Sequence, residues 1–186
     1  MTDTVRIAPV APENFTSEQA ELVGDWKHLV FSRVIVNNPK MYRTFVPHIE
    51  AVIARTSLPP RDRQVIVLRT LATCNDTYEL AHHLTISRNA GIGEEEIAAF
   101  QSGAGTCLTA FDRTLIRAAD ELKNDQMISE ETWAALAERY STEQLMEVVF
   151  LAGCYQTMAM LTKSFGMQIE AADGEFAGIN KLRAYT

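Results

Sequence analysis

The residues best able to do chemistry lie in one short stretch, Asp76-Thr77-Tyr78-Glu79-Leu80-Ala81-His82-His83. Glu79 and His83 are four apart, so a helix places them on one face, with Asp76 two turns before His83 on nearly the same line. A carboxylate that accepts from one ring nitrogen fixes the imidazole tautomer and raises the basicity of the other nitrogen. That suits His83 to general acid–base work near neutral pH. Tyr78 is placed to donate to a developing enolate or lactone oxygen. The same spacing is also an ordinary helix contact, worth only about 0.2–0.5 kcal/mol, so substitutions of Glu79 or His83 are expected to leave folding intact. His82 points about 100° away around the helix and is a candidate to line the same pocket. Adjacent histidines diverge rather than chelate, and no H-E-x-x-H pattern occurs, so no metal is expected.

Helices must carry these groups. Residues 1–15, with Pro9 and Pro12 and no periodicity, read as an arm that packs on a neighbour. From Thr16, Leu22, Val23, Trp26, Val30 and Ile35 recur at helical spacing up to Asn37-Asn38. Asn38 then caps a second helix with Pro39 at its first position, running to about Thr56 with Pro47 expected to kink it. Pro60 opens a third helix through Leu71. Its Val and Ile content also suits a strand, but no alternation, hairpin signal or partner strand appears. Asn75, Asp76 and Thr77 cap a fourth helix that closes at Asn89-Ala90-Gly91, and Gly93-Glu94-Glu95-Glu96 opens a short one to Gly103. Three further segments follow, near 108–123, 130–139 behind Ser129, and 142–165 behind Ser141 with Gly166 as its stop. The last is apolar on most sides, so it is expected to be a buried central helix or to pack against another subunit. The reading is all-α, a single-domain bundle of seven to eight helices over 16–170, between an arm (1–15) and a tail (171–186).

The stretch from Leu58 to Phe100 resembles the core of the carboxymuconolactone decarboxylase family, within the alkylhydroperoxidase D-like superfamily. The order of signals carries the likeness: Arg61-Asp62-Arg63, an apolar helix, a polar cap, Tyr78-Glu79 and His83, then Gly91 and an acidic helix start. The resemblance implies an alkylhydroperoxidase D-like helical fold and assembly as trimers or hexamers. The family includes lactone-ring decarboxylases of aromatic catabolism, which are lyases, and thiol-dependent hydroperoxide reductases with peroxiredoxin activity, so membership does not fix a reaction. In the peroxidase branch a Cys-x-x-Cys motif precedes the histidine and a glutamate stands upstream. Aligned on His83, those places hold Asp76, Glu79 and Gln64. Both thiols and the upstream carboxylate are missing, and a Gln exchanges no proton near neutrality.

Three readings follow from the resemblance. The first is a decarboxylase-like enzyme acting on a small carboxylated lactone or related oxygenated catabolite, with His83, Glu79 and Tyr78 catalytic and Gln64, Cys74, Asp76 and His82 about the pocket. Arg61, Arg63 or Arg69 would orient the anionic substrate. The second is an antioxidant peroxidase using Cys74 as a lone thiol. The third is a catalytically silent helical oligomer that binds a small ligand.

Composition narrows the partners. Net charge is −7 and the 17 Lys and Arg are interspersed with acids, leaving no basic stripe for nucleic acid. Three widely separated cysteines without a CxxC pair suit free thiols in a reducing compartment. No signal-like N-terminus appears and no later stretch reaches the roughly 18 apolar residues needed to span a bilayer, so a cytoplasmic protein away from membranes is expected. Gly103-Ala104-Gly105 follows no strand and lacks a lysine, so it is not a phosphate cradle, and no flavin, haem or nucleotide motif is present; no cofactor is expected.

Overall fold

The computed structural model describes residues 4–170, so the expected tail at 171–186 lies outside the described residues. Among the described residues the chain is all-α, with nine α-helices and no strand. They are α1 (Ser17–Val23), α2 (Val30–Ile35), α3 (Pro39–Ala54), α4 (Pro60–Cys74), α5 (Thr77–Asn89), α6 (Glu94–Ser102), α7 (Ala110–Asn124), α8 (Glu130–Ala137) and α9 (Thr142–Phe165). The excess over seven to eight arises at one place. The segment after Thr16 is broken at Gly24, whose φ of +50° suits glycine, and a 3-10 turn over Gly24–His28 separates α1 from α2. The contacts group into two compact units, residues 4–54 with 160–170 and residues 55–159.

In the first unit the helix starts follow local side-chain chemistry. The Thr16 hydroxyl accepts from the Gln19 amide while the Gln19 side chain accepts from the Thr16 amide. Asn38 Oδ1 accepts from Met41 N at 3.2 Å, and α3 continues through Pro47. Val23, Phe31, Val34, Ile35, Tyr42 and Ile53 form the core. The arm, expected to reach a neighbour, packs within this unit. The amides of Arg6 and Ile7 donate to Phe165 O, and Val10 N donates to Arg33 O. Gly166, at φ +68°, ends α9, and a Cβ there would meet Thr4 O.

The second unit is built around α4, which packs against α5, α6 and α7. Val65, Ile66, Val67, Leu68 and Leu71 are all fully buried, so the β-branched run that also suited a strand is a helix enclosed on most sides. Asn75 leaves α4 in the left-handed region at φ +52°, and Asp76 caps α5 by accepting from Tyr78 N at 3.0 Å and Glu79 N at 3.3 Å. Two arginines of α4 are fixed in ion pairs, Arg61 with Asp112 and Glu96, and Arg69 with Asp120 and the carbonyl of Gln101. Tyr140 donates to Asp62 Oδ2 at 2.8 Å, tying the α8–α9 turn to the start of α4.

α9 departs from one expectation, since by length and composition it is apolar enough to cross a membrane. Half of its most apolar window is buried in the protein, including Val148, Leu151 and Tyr155 at 0% exposure, which is how a core helix passes that test.

Candidate active site

The candidate residues converge inside the second unit, where α4 supplies Gln64, α5 supplies Glu79, His83 and Ser87, and α9 supplies Cys154 and Tyr155. His83 is 1% exposed, with each ring nitrogen taken by a side chain from a different helix. Nδ1 lies 3.0 Å from Gln64 Oε1, and Nε2 lies 2.7 Å from the Tyr155 hydroxyl. The two rings meet edge to face, with centroids 4.9 Å apart. Ser87 donates to the same Gln64 oxygen at 3.2 Å.

This arrangement fixes the proton. With the amide oxygen of Gln64 facing the ring, Nδ1 carries hydrogen and donates, leaving Nε2 to accept from the Tyr155 O–H. A glutamate at position 64 would hold or release a proton here, whereas the amide acts only as a permanent orienting partner. Burial, helped by the charges of His82 and Arg63, holds the proton affinity of His83 well below the ordinary histidine range, so the ring is neutral at physiological pH.

The carboxylate–imidazole pair read from spacing is thereby corrected. The group that sets the tautomer is Gln64 and not Glu79, because α4 and α9 reach both nitrogens. Glu79 is buried at 6% exposure close to Cys154, whose thiol is pushed up to about 12 by its own burial and then by the Glu79 charge. Tyr78 is buried edge-on to His82, with centroids 4.7 Å apart. The hydroxyl on the catalytic candidate ring is therefore Tyr155's. Asp76 is occupied as the α5 cap and Cys74 is buried at the end of α4. Of the three arginines named from sequence, Arg61 and Arg69 serve the ion pairs above, while Arg63 is the one whose charge is felt at His83.

The carboxymuconolactone decarboxylase family model matches residues 39–121, which include α4, α5, Gln64 and His83. That segment, 83 of the 186 residues, is similar to the family. No match was found among curated proteins. Solved structures match with likeness enough to show the fold. A peroxidase-related protein with an AhpD core from Ralstonia eutropha JMP134 is 17% identical, covers 94% of this chain and 96% of its own, and superposes with a TM-score of 0.77. A peroxidase-related protein from Silicibacter sp. TM1040 is 14% identical with a TM-score of 0.73, covering 95% and 98%. An Agrobacterium tumefaciens protein of unknown function, provisionally linked to AhpD antioxidant defence, is 17% identical with a TM-score of 0.68, covering 74% of this chain and 95% of that one. The fold of this chain is thus AhpD-like, and His83 lies among side chains of α4, α5 and α9 within it.

Among the described residues no cluster of His, Cys, Asp or Glu has the arrangement to hold a metal ion. Tyr155 was legible in sequence only as a residue of the last helix. Its part in the site comes from a contact 72 residues away in the chain.

Proposed function

We propose that this protein is an acid–base enzyme of the carboxymuconolactone decarboxylase type, acting on a small carboxylated lactone or related oxygenated catabolite without thiol chemistry. The observation that carries the reading is the buried chain Gln64–His83–Tyr155, in which a neutral imidazole accepts from a phenol at 2.7 Å. Such a chain gives up or stores one proton at a defined atom. In the reaction the carbon–carboxylate bond breaks, carbon dioxide leaves, and the electron pair left on the ring system is quenched by one proton. Tyr155 gives that proton and takes one back from water, and His83 Nε2 accepts the hydrogen bond of the restored O–H. The charge of Arg63 holds the departing carboxylate, and Gln64 keeps Nδ1 protonated throughout.

Gln64 also supplies a second support. Its Nε2 is buried without a hydrogen-bond partner among the described residues, a costly arrangement that a bound substrate oxygen would relieve. The thiol alternative gains nothing from the geometry. The two places of the peroxidase cysteines hold Asp76 and Glu79, and the nearby Cys154 thiol is held protonated at neutral pH.

One observation favours the silent ligand-binding reading, namely that both nitrogens of His83 are already occupied and the ring is sealed from solvent. A panel of carboxylated γ-lactones followed by proton NMR separates the two. Carbon dioxide release that is lost in Tyr155→Phe supports the enzyme, while saturable binding with no turnover by the unaltered protein replaces it with the silent reading.

A further inference from the structure

A cavity of about 430 Å3 lies wholly within the first unit, apart from the residues of the His83 cluster. Three segments line it, the arm (Ile7, Pro9), α2 (Val30, Arg33, Val34) and the residues after α9 (Met167). Its size is that of a small-molecule pocket, typically about 300–1,000 Å3. Its walls are joined by backbone bonds already described, with the arm's amides on Phe165 O and Arg33 O.

The walls are mostly apolar, and among the described residues Arg33 is their one cation. Its Nε is buried with no hydrogen-bond partner among the described residues. The carboxylate that also borders the cavity, Glu170, accepts from the Val30 amide at 2.7 Å. A buried Nε–H without an acceptor beside apolar walls is unfavourable alone and becomes favourable when a ligand brings an acceptor with an apolar body.

We propose that this cavity binds a small organic carboxylate with an aliphatic body, its carboxylate on Arg33 and its chain against Ile7, Val30, Val34 and Met167. The site is distinct in residues and chemistry from the proton relay at His83, so it stands whether or not that relay catalyses a reaction.

Calorimetric titration of the full chain with octanoate and with octanol tests it, using Arg33→Gln and Arg33→Lys alongside. Octanoate is expected to bind at least about tenfold more tightly than octanol, the scale of a charge-assisted hydrogen bond. Arg33→Gln should lose that preference with an unchanged far-ultraviolet circular dichroism spectrum, Arg33→Lys should keep part of it, and His83→Gln should leave it in place. Equal affinity for octanoate and octanol would overturn the proposal, as would octanoate binding that survives Arg33→Gln. So would binding by a chain ended at Glu170 but not by the full chain, which would make residues 171–186 the occupant, and so would no binding by either.

Discussion

The hydroxyl of Tyr155 lies 2.7 Å from Nε2 of His83, joining two residues 72 apart in sequence, and both are buried. Because Nδ1 donates to Gln64, Nε2 is the nitrogen left to accept a proton, and Tyr155 is the group that faces it. Tyr155→Phe removes that hydroxyl while keeping the ring's shape. The expected result is a rate loss of about 10²-fold or more, with a stability loss of about 1–3 kcal/mol for the unpaired Nε2. Steady-state rates and urea unfolding measure the two separately. The enclosure of His83 also revises the expectation that substitution there leaves folding intact. His83→Ala empties a buried site and strands Gln64 and Tyr155, so it should cost more stability than Tyr155→Phe.

The buried neutral histidine gives a pH signature. Unfolded, His83 takes a proton below about pH 6.5, whereas the folded ring resists it because burial depresses its affinity. The unfolded state therefore binds more protons, and stability falls as pH drops below about 6.5, by up to about 1.4 kcal/mol per pH unit, with no such slope above it. The carboxylates of Glu96, held low by Arg61, and of Asp112, which burial pushes up but Arg61 and Thr109 together bring below the ordinary range, lose their contribution only as pH falls further, below about 4.5. Urea unfolding between pH 5 and 7.5 should thus show a slope in the unaltered protein that flattens in His83→Gln. Parallel profiles would mean that the folded ring titrates normally.

Thiol reactivity separates the acid–base reading from the peroxidase one. Cys74 and Cys154 are buried and Cys107 is half-buried, and the Cys154 thiol is pushed up to about 12. A thiol reagent at pH 7.5 should modify Cys107 first and reach all three cysteines only in denaturant. Peroxide reduction with a dithiol donor should be absent. Rapid turnover abolished by Cys74→Ser would return the protein to the peroxidase branch.

How far the sequence reached depended on the range of the interaction involved. Asn38-Pro39, Asp76, Asn89-Ala90-Gly91 and Gly166 marked helix ends correctly because caps are satisfied within a few residues. Gly24 was missed because a periodic apolar pattern continues across it while the backbone does not. The site was legible on α5 alone. The identity of the partner on Nδ1 and the arrival of Tyr155 on Nε2 depend on how α4 and α9 pack on α5, and i,i+4 spacing holds no information about either. The same range limit blurred the arginines, since Asp112 and Asp120, which claim Arg61 and Arg69, each lie 51 residues away.

That division of labour among arginines is testable. Arg61→Ala leaves Asp112, 1% exposed, without its cation, and should cost about 1–3 kcal/mol with little change in substrate affinity in the folded fraction. Arg63→Ala should do the reverse, raising KM for an anionic substrate with a smaller effect on urea midpoint. A KM unchanged by Arg63→Ala would remove it from the site.

The last prediction concerns assembly. We propose that α9 joins copies of this chain through the face it leaves uncovered in the second unit. Met146 is 54% exposed, Val149 40% and Phe150 54%, and all three lie within one turn of each other, followed one turn later by Gly153. A Cβ added at Gly153 would meet nothing within 4 Å, so the helix backbone is open to close approach there. An exposed apolar stripe of this kind on a helix whose other side is core is characteristic of an interface. The chain should run as an oligomer in light scattering at micromolar concentration, and the trimers or hexamers implied by the family resemblance are the expected sizes. Phe150→Glu places a charge in the middle of the stripe and should shift the mass toward the 20.7 kDa monomer without changing helical content. A monomer in the unaltered protein would leave the stripe without this role, and an oligomer untouched by Phe150→Glu would move the interface elsewhere.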